Sequence, residues 1–162
     1  PSAKCGSRAA ADVSSAKRPK AVLWLTIVAA PGALAIETAL RKLLFPAEFE
    51  EVREFLEPTL TPFGWGLAAF AALGAALGLV VQRHVANRRL ARLPDDATVD
   101  QRYREIFAVF LLTTAVPQIP ALLSTFVFMF GASIWTVSTA IAFCSVGVVA
   151  QALRVPAMAE NP

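Results

Sequence analysis

The sequence predicts an all-α integral membrane bundle of four transmembrane helices, with a short amphipathic interfacial helix between spans one and two. Two observations carry this. Hydrophobic residues make up 56% of the 162 positions and charged residues only 17%, where a soluble domain carries about 25% charge. The charges are also clustered, so that 106–153 runs for 48 residues without one. That is more than twice the ~20 residues a helix needs to cross ~30 Å of hydrocarbon. This composition excludes a disordered chain, a coiled coil and an ordinary soluble enzyme. The net charge of +3 sits on no soluble basic scaffold, so nucleic acid is not an expected partner.

Residues 1–20 are rich in Ser, Ala and Lys without apolar periodicity, and read as a disordered tail. The chain begins at Pro1 rather than Met, so a fragment or a processed chain is expected. No small-residue cleavage pattern follows the basic residues, which favours an uncleaved signal-anchor.

Span one is expected over 21–44. Its charge-free part, 21–36, is too short to cross alone, so the span includes Glu37. Arg41 follows four residues later on the same helical face, in the favourable order for an ion pair. Two readings of Glu37 stay open: a carboxylate neutralised by Arg41 at the interface, or one with a proton-linked role in the membrane.

Between Pro46 and Pro58, Phe49, Val52, Phe55 and Leu56 recur at helical spacing among Glu48, Glu50, Glu51, Glu54 and Glu57. This predicts an amphipathic helix of about three turns lying on the membrane surface, ended by the prolines. Its carboxylates read as a solvated face.

Span two, 60–82, is charge-free. Gly64, Ala68, Ala72 and Ala76 recur at four-residue steps, and Gly74 and Gly78 form a GxxxG pair beside Ala71 and Ala75. Lipid gives helices no hydrophobic reason to associate, so close backbone approach over small residues is what holds them together. Gly74, Gly78, Ala68 and Ala72 are therefore the expected packing residues, either inside the chain or between copies in a homo-oligomer.

Residues 83–105 form the main polar connection, with six arginines. His84, the single histidine, lies at the membrane edge and has no partner for a metal or catalytic pair. Gly131, Ala132 and Ser133 supply a turn that divides the long charge-free stretch into span three, 106–130, and span four, 134–153. Ser138, Thr139, Cys144, Ser145 and Gly147 line span four. Residues 155–162 form a short tail. Cys5 and Cys144 match neither a disulfide framework nor a metal site.

Charge sets the expected topology. Twelve of the fifteen Lys and Arg fall in the N-terminal tail, the 83–105 connection and the C-terminal tail, and three fall between spans one and two. The positive-inside rule then places both termini in the cytoplasm, and the aromatics agree: Trp24 and Tyr103 mark the inner interface, Trp65 and Trp135 the outer. The expected location is a bacterial inner membrane. The pentapeptides GLVVQ at 78–82 and GVVAQ at 147–151, with Pro31 and Pro117 in spans one and three, suggest a parallel two-plus-two repeat.

The centre of span three is the candidate polar site. Pro117 and Pro120 lack amide hydrogens, which frees the carbonyls of Thr113 and Val116, and in hydrocarbon these must find other donors. Gln118 sits between the prolines, with Thr113, Thr114 and Ser138 as hydroxyl partners. Interrupted helices of this kind build substrate sites in transporters; a kink with Gln118 as interhelical glue is the other reading.

The Gly/Ala-rich 64–78 segment, the basic 83–104 loop and TAVPQIPALL at 114–123 together resemble the hairpin of the rotor-ring proteolipid of ATP synthases. In that family the mid-membrane residue is an ion-carrying carboxylate. Gln118 stands near that place here, and an amide releases no proton, so the resemblance does not carry the ion-binding role. The loop is also longer than that family's tight turn. The chain also resembles small four-span bacterial membrane proteins.

No Ser/His/Asp arrangement, HExxH, P-loop or nucleotide fingerprint occurs. The expectation is a non-enzymatic membrane subunit or scaffold without cofactor or metal, in contact with the lipid bilayer and a membrane protein partner or its own copies. A small transporter or channel-like oligomer is the alternative.

Overall fold

A computed structural model describes residues 28, 32–45, 48–94 and 97–160. The expected tail 1–20 and most of the first half of span one lie outside the described residues. The chain is all-α. Residues 32–44 form α1, followed by α2 (Glu48–Leu90), α3 (Val99–Met129) and α4 (Ile134–Glu160). Among the described residues three helices, α2, α3 and α4, are long and apolar enough to cross a membrane.

The helices outrun the apolar stretches that seed them. At 1.5 Å per residue, the 43 residues of α2 span about 65 Å and the 31 of α3 about 47 Å. The polar connection expected over 83–105 is therefore largely helical, and only 91–98 lie between α2 and α3. Arg, Glu and Gln are good helix formers, so nothing stops either helix at the edge of its apolar part. The true start of α3 is a capping box: Thr98 Oγ1 accepts from the Gln101 amide, and Gln101 Oε1 accepts from the Thr98 amide.

The helix expected to end at Pro58 does not end there. α2 runs unbroken through Pro58 and Pro62. Both prolines are exposed and lie four residues apart on one face, so their rings meet neither α3 nor α4. Each removes one helical hydrogen bond without disturbing the packed face. The turn expected at 131–133 is present. Gly131 has φ +130°, a conformation that a side chain would strain. The Arg53 carbonyl lies 3.0 Å from where its Cβ would be.

Three contacts fix how α2 meets α4. A Cβ on Gly64 would meet Thr136, one on Gly147 would meet Ala75, and one on Gly78 would meet Gln151. The partner numbers rise together, so the two helices run parallel with a nearly constant offset. α3 is antiparallel to α2: Gly74 faces Pro117, and Gly78 faces Thr113. Ala68, Ala71 and Ala140 fill the interior beside these contacts. Toward the Leu90 end the core changes to larger side chains, with Tyr103, Ile106, Val109 and Phe110 packed on Ala86, Val148, Ala152 and Val155.

Candidate functional site

Pro117 and Pro120 sit inside an uninterrupted α3. The two carbonyls they free are Thr113 O and Val116 O, and both face glycines of α2. Val116 O lies 3.2 Å from the Cβ position of Gly74, and Thr113 O lies 3.5 Å from that of Gly78. A glycine α-hydrogen points along that direction. A Cα–H donor is weak, but it recurs where helices approach closely. The proline break and the glycine pair are thus two halves of one contact, and the glycines cover the exposed carbonyls.

A polar cluster forms at the same level. Gln82, Gln151 and Thr113 are buried, from α2, α4 and α3 respectively. Gln82 Nε2 donates to the Gln151 carbonyl oxygen at 3.1 Å. Thr113 Oγ1 lies 2.9 Å from Gln151 Oε1, 3.0 Å from Val109 O and 3.1 Å from Phe110 O. Its single hydrogen serves one of these at a time. Gln82 Oε1 and Gln151 Nε2 are buried without hydrogen-bond partners. In an apolar medium such groups are costly to leave unpaired.

The residues expected at mid-membrane separate. Thr113 and Pro117 face the interior, Pro120 is half-buried, and Gln118 is exposed on the outer face of α3. Thr114 is buried, and its hydroxyl donates to Leu111 O at 2.9 Å. Ser138 is half-buried but lies thirteen residues before Gln151 on α4, about 20 Å along the axis. Gln118 does not bridge the freed carbonyls, because it follows Pro117 directly and so projects on the next helical face. The residues that do converge, Gln82 and Gln151, close the two pentapeptides whose similarity suggests a repeat. That match was the signal available for them. Of the packing residues, Gly74, Gly78 and Ala68 are buried and Ala72 is half-buried.

The Glu37–Arg41 pair does not form. Arg41 Nη2 instead binds Glu50 Oε1 at 2.9 Å, and Arg53 Nη1 binds Glu50 Oε2 at 2.8 Å. Glu37 is half-buried beside Thr125 of α3, whereas Arg41 reaches the acidic first turn of α2 and also lies over the Phe128 ring. Arg53 is 1% exposed and packs over Phe45 and Phe49. Its Nε and Nη2 find no hydrogen-bond acceptor. Glu50 lies ahead of the apolar stretch that begins at Leu60. The hydrogen bond from Arg53, then Arg41, holds its carboxyl below the ordinary value of 4.5. The acidic amphipathic pattern conceals Arg53, because a lone basic residue among five carboxylates reads as part of a solvated face.

The geometry defines a class, an all-α bundle whose three long apolar helices are consistent with a multi-pass membrane protein. Comparison with known protein families, curated proteins and solved structures finds no match to this chain.

Proposed function

We propose that the chain is a non-enzymatic, multi-pass membrane subunit or scaffold with four spans and both termini in the cytoplasm. The observation that carries this is the use made of the small residues. Gly64, Gly74, Gly78 and Gly147 each lie where a Cβ would come within 3.2 Å or less of a neighbouring helix. Such residues hold α2, α3 and α4 at backbone contact. The same contact places Gly74 and Gly78 over the carbonyls freed in α3, where a substrate site would need them open.

The outer faces are then large and apolar. Phe70, Leu73 and Leu77 on α2, Leu112, Ile119 and Leu122 on α3, and Phe143 and Val146 on α4 are exposed, which suits contact with lipid or with another membrane helix. In this reading the remaining part of span one completes the fourth crossing. Residues 48–58 form an amphipathic overhang at the outer interface, with Val52 and Phe55 turned outward.

The test is the state of the protein extracted in mild detergent, read by native mass spectrometry and by cross-linking in intact membranes. A homo-oligomer or a complex of fixed stoichiometry with one membrane partner is expected. A monomer that forms no fixed complex in either setting, but conducts ions or solute in proteoliposomes, would contradict it.

A further inference from the structure

We infer that the groove between α2 and α4 at their Arg83/Arg154 end binds the phosphodiester headgroup of an anionic lipid. The inference rests on the membrane reading but not on the scaffold role.

Arg83 is the first charged residue after the apolar stretch of α2, and Arg154 the first after that of α4. The parallel register that sets Gly78 against Gln151 and Ala75 against Gly147 brings these two arginines to the same level on adjacent helices. Both line one open pocket of about 530 Å³, together with Asn87, Gln82, Leu79, Leu90 and Met158. Among the described residues, neither arginine has an ion-pair partner; Glu105, on α3, pairs with Arg89. Two guanidiniums lining one pocket at the edge of an apolar medium give it a positive charge that a bound anion would neutralise. Guanidinium forks match phosphate oxygens well, and basic pockets between membrane helices on the cytoplasmic side suit lipid headgroups.

The remaining lining favours lipid over free phosphate. Leu79 lies one helical turn back from Arg83, inside the apolar stretch of α2, so the wall on the membrane side of the arginines is apolar and acyl chains can continue along it. Asn87 adds an amide. Gln82 closes the floor: its Nε2 is committed to the Gln151 carbonyl, and its Oε1 has no donor.

The test uses the full chain in detergent, titrated with phosphatidylglycerol, with phosphatidylcholine or with inorganic phosphate, and read by native mass spectrometry. The expected result is one tightly retained phosphatidylglycerol, with phosphatidylcholine much weaker. The double variant Arg83→Gln/Arg154→Gln should weaken retention by about tenfold or more. Arg88→Gln/Arg92→Gln, which removes the same charge outside the pocket, should leave it unchanged. Both arginines of the first pair are exposed, so the lipid-free melting temperature reports whether that variant still folds. Equal retention in the two double variants would overturn the proposal, as would phosphatidylcholine binding as tightly as phosphatidylglycerol. Inorganic phosphate binding as tightly as the lipid, with the same arginine dependence, would overturn the lipid assignment.

Discussion

The backbone carbonyl of Val116 lies 3.2 Å from the position a Cβ would take on Gly74. One residue is a glycine in a row of small residues on α2. The other has lost its helical donor to Pro120 on α3. Each makes the other tolerable: the missing side chain allows the approach, and the approach covers a carbonyl that hydrocarbon would otherwise leave bare.

Gly74→Ala should destabilise the bundle by about 1–3 kcal/mol, because the atoms in its way are backbone and cannot rotate aside. Gly74→Leu should cost more. Gly66→Leu is the control, since nothing lies within 4 Å of its Cβ position. Thermal unfolding in mild detergent separates the three; a Gly74→Leu protein as stable as the Gly66→Leu protein would show that the α2–α3 contact does not form.

The Thr113–Gln151 hydrogen bond should couple the two side chains. A double-mutant cycle of Thr113→Val and Gln151→Leu should give about 0.6 kcal/mol, the usual size inside a membrane bundle. Gln118→Leu should leave stability unchanged, because Gln118 is exposed. A large loss from Gln118→Leu would return the polar site to the outer face of α3.

At the other end, Glu50→Gln should destabilise more than Arg53→Met. Removing the carboxylate leaves a buried guanidinium without its counter-charge, while removing the guanidinium also removes two unpaired donors. The Glu50 carboxyl is held below its ordinary value in the fold. Its contribution is therefore complete above pH 4.5 and declines as the pH falls through the lower, folded value. Chemical unfolding across that range checks both points; a Glu50→Gln protein whose stability matches the wild type at neutral pH contradicts them.

Topology has its own test. Cys5 in a Cys144→Ser background should resist an impermeant thiol reagent applied to sealed right-side-out vesicles, and react once the membrane is opened. Labelling from outside would reverse the assignment made from the basic residues.

The apolar stretches, the turn at Gly131 and the Gly74/Gly78 part of the α2 row were legible in the sequence, because each depends on residue type and local spacing alone; Ala76, in the four-residue row, is exposed. The helix ends were not. Pro58 looks like a boundary until the exposed face on which it lies is known, and the helical arms beyond the apolar stretches carry no periodicity that distinguishes them from a loop. The polar site was half legible. The two prolines told which carbonyls lose their donors, but not that glycines on α2 cover them. Gln118 is central in sequence and peripheral in space, since one residue along a helix turns the side chain by about 100°. Gln82 and Gln151 meet only through the parallel register of α2 and α4, a long-range fact that no local pattern encodes.

The small-residue face of α2 packs inside its own chain. Ala68 of α2 and Ala140 of α4 share one buried cluster, so the pair Ala68→Cys/Ala140→Cys, in a Cys5→Ser/Cys144→Ser background, reports on that packing. Mild oxidation in native membranes should link the two positions within a single chain, giving a monomer whose α2 and α4 fragments stay joined after cleavage in the 91–98 connection. Disulfide-linked dimers in place of that internal link would contradict the account, because the same face would then lie between copies.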